Sequence, residues 1–181
     1  MLETLKIDRT HSTIGFTVKH FMVTNVRGEF KDFDGTIEVD GTDHRTLNAD
    51  VVIKTASVTT NTDQRDDHLR SADFFDAEKY PEMHFVSTGV DQKSDDEYVL
   101  RGNLTIKDVT RPVELNATVE GSINDPYGNE RTGVTVRGSI NRDDFGLTYN
   151  QVLEAGAVVV GKKVTLEIEV AVLRPLAIPV H

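Results

Sequence analysis

The residues best equipped for chemistry sit side by side in one stretch, Arg65-Asp66-Asp67-His68-Leu69. A guanidinium, two carboxylates and an imidazole in consecutive positions suit a polar clamp. Arg65 can hold a phosphate-like head group with two parallel hydrogen bonds from its planar fork, and His68 can face the same group. The competing role is mechanical: a short helix pinned in place by ion pairs and by Leu69. If the chain were an enzyme, His68 with Asp66 or Asp67 would be its acid/base set. Phe74 and Phe75 follow at once, and at least one of them is expected to plug or wall whatever lies beneath.

Other chemistry has less support. The six histidines are His11, His20, His44, His68, His84 and His181, and none forms a His-x-x-x-His pair or a Glu-containing zinc signature. His20, His68 and His84 could meet only through the fold, and hydrogen-bonded structural roles suit His20 and His84 better. Cysteine is absent, which excludes disulfides and thiolate catalysis. There is no Gly-x-Ser-x-Gly and no P-loop. The adjacent carboxylates Asp66-Asp67, Asp95-Asp96 and Asp143-Asp144 would diverge on a strand or helix. Asp143 or Asp144 suits the cap of a short helical turn after Arg142. No cofactor and no metal is expected.

The elements that must position these residues follow from a dominant period of two, the mark of half-buried strands. Eight such runs are present. Ile14, Phe16, Val18 and His20 share the first face. The second run, Gly28 to Val39, changes parity between Phe30 and Phe33, which predicts a β-bulge near Lys31-Asp32. The third carries Leu47, Ala49, Val51 and Ile53, and the fourth Met83 and Phe85, continuing towards Val90. Tyr98, Leu100, Gly102, Leu104 and Ile106 make the fifth, and Val113, Leu115, Ala117 and Val119 the sixth. Val134, Val136, Gly138 and Ile140 make the seventh, and Val164 to Val172 the eighth.

Short turn-rich links between these runs imply an up-and-down meander. Two links are longer. In 55–82, Thr60 with Asp63 resembles a capping pair for a helix that stops near Ser71, followed by a turn at Ala77-Glu78-Lys79 before Pro81. In 142–161, short helical turns are expected at Asp143 to Leu147 and at Gln151-Val152-Leu153-Glu154.

The fold class is therefore all-β: an extended, eight-stranded, antiparallel up-and-down barrel with short helices in those two links. Closure removes the sheet edges. The inward rows carry Gly28, Gly35, Gly102, Gly138, Ala49 and Ala117, and no Trp exists to fill the middle. Small inward residues would leave space, although they also suit bends in a tightly curled sheet. Several runs reach about ten residues, longer than the mean of ~5–6, so the space would suit a chain-like guest.

The same residues resemble a known family. Asp8 to Phe16, Lys19-His20, Val26 to Phe30, Arg65 to Asp76, Lys79-Tyr80-Pro81, Gly102 to Ile106, Thr110 to Val113 and Arg142 to Leu147 are similar to blocks of the YceI-like proteins, also described as polyisoprenoid-binding. The resemblance runs from about residue 8 to 173. It implies a lipocalin-like barrel, one domain over 1–173, a C-terminal tail over 174–181 and a hydrophobic tunnel for a long-chain isoprenoid or similar lipid. The expected ligand-contacting residues are Ile14, Phe16, Val18, Phe30, Phe74, Phe75, Phe85, Leu100, Leu104, Val134, Val136, Phe145 and Leu147, with Arg65 and His68 for the head group. Two alternatives stay open: an enzyme modifying such a lipid, and a stress-related structural or interaction protein with a fully packed barrel.

The 181 residues carry 30 acids against 20 bases, a net charge of −10. An acidic surface repels nucleic acid and anionic membrane lipid, and no nucleic-acid partner is expected. No apolar run approaches the ~20 residues of a membrane-spanning helix. The polar opening, Met1 to Thr10, lacks the order of a signal peptide, so a cytoplasmic location is expected, with a homodimer left open.

Overall fold

The computed structural model describes residues 1–151 and 159–177. Its strands are β1 (Leu2–Ile7), β2 (Thr13–His20), β3 (Thr24–Phe30), β4 (Phe33–Asp40), β5 (Asp43–Lys54), β6 (Val58–Thr59), β7 (Glu82–Gln92), β8 (Glu97–Ile106), β9 (Val109–Asn124), β10 (Asn129–Asn141) and β11 (Val160–Pro175). One helix, α1 (Asp63–Arg70), lies between β6 and β7, and a 3₁₀ turn, Arg142–Phe145, follows β10.

These strands make a closed, eight-stranded antiparallel barrel. The count reconciles because β1 and β2 lie end to end on one edge of β11, separated by a 3₁₀ turn at Arg9–His11. In the same way β3 pairs with β2 while β4 pairs with β1. Each pair of short segments is one broken strand of the barrel. Around the ring come β5, β7, β8, β9, β10 and β11, each antiparallel to the last.

The parity change at Lys31-Asp32 is real but is a full break rather than a bulge. Asp32 O accepts from Lys54 N at 2.9 Å and Lys31 N donates to Ser57 O at 3.2 Å, so the corner is tied to the chain after β5. A true register shift falls between Ser87 and Gly89. It explains how Met83, Phe85 and then Val90 can all face inward, because one extra residue reverses the parity. The last strand runs two residues beyond 173. Arg174, assigned to a tail by the sequence, belongs to it and donates to Glu3, Glu130 and the Gly41 carbonyl.

Buried apolar residues form three clusters stacked along the barrel. Leu5, Ile37, Val39 and Val172 lie towards one end. The second comprises Ala49, Phe85, Leu115 and Val136. The third, which includes Phe30, Phe33, Val58, Phe74, Ile106 and Phe145, closes the end beneath α1.

Candidate functional site

The inward rows of the strands enclose a cavity of about 970 Å³. Its wall takes alternate residues from every long strand, among them Leu47 and Val51 of β5, Leu115 and Ala117 of β9, and Leu166 and Ile168 of β11. Polar groups gather at its two ends. His44, Tyr98, Glu130 and Arg174 line it at the end marked by the β4–β5 and β8 turns. Gln64, Arg65, His68, Arg142 and Tyr149 line it at the end covered by α1. The arrangement is an apolar length with hydrogen-bonding groups at each extremity.

All the residues expected on the tunnel wall line this cavity except one. Phe145 is 1% exposed and packs in the cluster under α1, because the turn from Asn141 to Gly146 carries it outside the strand alternation. Phe74 and Phe75 both reach the wall, Phe75 with its edge against Phe30 at 5.5 Å.

The inward glycines do not leave the space expected of them. A Cβ on Gly28 would stand 2.4 Å from the Phe16 ring, and one on Gly102 2.4 Å from the Phe85 ring. Each aromatic ring lies over a glycine. The glycines therefore make room for large side chains along the wall, and the axis stays clear for that reason.

The Arg65–Leu69 stretch divides its roles. Asp66 is buried and accepts from Thr60 N at 2.7 Å, Thr60 Oγ1 at 2.6 Å and Thr59 Oγ1 at 3.2 Å. Burial alone would raise its pKa, but these bonds outweigh it and hold the carboxyl below its ordinary value. Thr60 thus pairs with Asp66 and not with Asp63, and the helix N-cap is Thr62, with no side-chain cap bond. Arg70 donates to the Ala56 and Val58 carbonyls and pairs with Asp67 at 3.0 Å. These contacts pin α1 to the barrel rim.

Arg65 is partly spent on the same task, donating to Thr60 Oγ1, Thr60 O and Thr62 Oγ1. His68 has Asp73 Oδ2 at 2.8 Å from Nε2, and its ring meets Phe74 and Tyr149 edge-on at 5.1 and 4.9 Å. Asp66 and Asp67 point to other partners, so the acid/base set of His68 with either of them is not assembled. Among the described residues no three His, Asp or Glu side chains are placed to hold a metal ion. His84 faces outward to Asp50, and the His20 ring lies 4.2 Å from the Phe21 ring, tilted 45° to it.

Arg142 is the functional-looking residue that sequence reasoning passed over. It is 3% exposed and lines the cavity, yet no carboxylate pairs with it among the described residues. It donates to Gly161 O at 2.8 Å, Leu147 O at 2.5 Å, Tyr149 O at 2.9 Å and Val160 O at 3.1 Å. Burial lowers its pKa from the ordinary guanidinium value. The register between β2 and β11 shifts between Val160 and Val164. Arg142 meets the carbonyls at that irregularity and ties the 147–149 wall to it. The helical turn is capped by Asn141, which accepts from Asp143 N, and Asp143 instead pairs with Lys162 at 3.1 Å. The turn expected at 151–154 lies, apart from Gln151, outside the described residues.

The profile of the YceI-like domain family matches residues 5–172. The chain belongs to the YceI-like family. A UPF0312 protein of Staphylococcus aureus is 39% identical over 161 residues, covering 88% of this chain and 91% of that protein. The YceI protein of Campylobacter jejuni, solved by crystallography, is 33% identical with a TM-score of 0.75, over 92% of this chain and 95% of that one. A polyisoprenoid-binding domain from Saccharophagus degradans, 17% identical, shares the fold at a TM-score of 0.67, over 97% of this chain and all of that one (100%). In this YceI-like barrel no helix among the described residues is long and apolar enough to cross a membrane.

Proposed function

We propose that this YceI-like protein holds a long-chain amphiphilic lipid, a polyisoprenoid, in the barrel for carriage or storage. The observation that carries the reading is the lengthwise cavity of about 970 Å³, lined by Leu, Ile, Val and Phe and ended by polar groups. An apolar void of that size is costly when empty, and a hydrocarbon chain placed there gains roughly 0.8 kcal/mol for each methylene removed from water. A few polar groups at an end set orientation. His68, Arg65 and the buried guanidinium of Arg142 stand where a polar or anionic head group would come to rest. The polyisoprenoid-binding domain that shares the fold supports the same class of cargo.

The cavity also bears on the fully packed alternative, which requires side chains to meet across the axis. The test is mass spectrometry of lipid extracted from protein purified from its native host, alongside uptake of prenyl lipids by the stripped protein. A prenyl lipid in the extract, with Ala117→Phe abolishing uptake while melting as the parent does, is the expected result. No lipid in repeated extracts and no uptake would overturn the reading.

A further inference from the structure

The hairpin joining β2 to β3 carries Phe21, Met22 and Val23 at its tip, 51%, 59% and 77% exposed. No other three consecutive large apolar residues among the described residues are so exposed. The turn closes by Val23 N donating to His20 O at 3.3 Å, and both central residues are left-handed, Phe21 with φ 50° and Met22 with φ 62°. Such a turn favours Asn-Gly, because bulky residues are strained at positive φ. This hairpin therefore keeps strained, water-exposed apolar side chains where a polar pair would fold more comfortably. Strain of that kind at an exposed tip points to use.

The charge around the tip is the reverse of the protein's. Residues 13 to 28, nearly all of the hairpin, include Lys19 and Arg27 and not one Asp or Glu, in a chain of net charge −10. Lys19 and Arg27 are exposed on the two strands leading back from the tip. The tip also adjoins the cavity: Lys19 and His20 line it, whereas Phe21, Met22 and Val23 do not.

From these observations we infer that the β2–β3 tip docks the protein on an anionic lipid bilayer. Phe21, Met22 and Val23 enter the acyl boundary, and Lys19 and Arg27 meet the head groups. Overall acidity would keep the rest of the barrel off such a surface, so docking has one orientation. That orientation brings the cavity end beside His20 to the bilayer, where a chain can pass without crossing water. The docking stands on the tip alone; its use as an exchange route rests on the lipid-holding reading.

The test is flotation of the full-length protein with vesicles of phosphatidylcholine, with and without phosphatidylglycerol, neither containing prenyl lipid. The parent should float with the anionic vesicles and much less with the neutral ones. The double variant Phe21→Asn, Met22→Gly suits the turn and should melt no lower than the parent, take up prenyl lipid from detergent as the parent does, and float at least tenfold less. Failure of the parent to float, equal flotation on both vesicles, or equal flotation of the variant would overturn the docking. So would a parent dimer that the variant converts to monomer without a change in flotation, since a second copy would then cover the tip. Failure of prenyl uptake by both proteins would count against the cargo and leave the flotation result standing.

Discussion

Replacing Arg142 with methionine keeps the aliphatic stem and removes the guanidinium from four carbonyls. Val160 O retains a donor, because Asn150 Nδ2 reaches it at 2.7 Å. The carbonyls of Gly161, Leu147 and Tyr149 lose the bond. Relief of the desolvated charge offsets the charge assistance of these bonds, so the neutral figure of about 1 kcal/mol per hydrogen bond applies and the sum is about 3 kcal/mol. For a domain of this length that is a fall in Tm of roughly 6–12 °C. Urea denaturation followed by circular dichroism would give the free energy, and calorimetry the Tm. Arg142→Lys, which keeps the charge but not the planar fork, should fall between the two. A Tm within roughly 2 °C of the parent for Arg142→Met would refute the clamp. Because Leu147 and Tyr149 line the cavity, the same variant should also release bound prenyl lipid faster.

Four further outcomes follow from the geometry. Asp66→Ala leaves the buried Thr60 N–H without its acceptor and should cost about 3–5 kcal/mol in denaturation, whereas Asp66→Asn, which can still accept, should cost less. Asp8 is held down to about 2 from 3.8, first by the hydrogen bond from Arg131 and then by His11. Its stabilisation is present above the unfolded value and is lost as pH falls from about 4 towards 2, so Asp8→Asn should flatten the acid-unfolding curve in that window. Gly28→Ala should swing the Phe16 ring off the wall into the cavity and reduce prenyl uptake, with stability lowered by about 1–3 kcal/mol; unchanged uptake would contradict the role given to that glycine. Affinity for prenyl alcohols should rise with chain length until the cavity is full and then level off, measured by competition with a fluorescent analogue.

Strand positions were legible because a half-buried strand writes its two faces into alternate residues. Val164, Leu166, Ile168, Val170 and Val172 all line the cavity, as their spacing requires. The first strand was not legible. Leu2-Glu3-Thr4-Leu5-Lys6-Ile7 puts only Leu5 and Ile7 on the cavity wall, and a single alternation is too short to establish a period. The run from Gly28 to Val39 showed its parity change but not that its halves pair with β2 and β1 separately, since pairing is decided by distant strands. Arg142 was hidden for a different reason. A charged residue in a polar stretch reads as solvated, and only the fold shows that the carbonyls it meets leave it no exit to water. The inward glycines gave the right cavity for an incomplete reason, because a sequence does not show which neighbour will lie across a missing side chain.

The seam of the barrel joins β11 to β1 and β2, the last strand made to the first. During synthesis every other strand leaves the ribosome before the ring can shut. Until residues 160 to 175 emerge, the nascent chain is an open sheet with two unpaired edges and its oily rows uncovered. A premature stop or a proteolytic cut within those residues should therefore yield an insoluble product rather than a slightly shorter carrier, and the burden on chaperones should fall almost entirely on that final interval of translation.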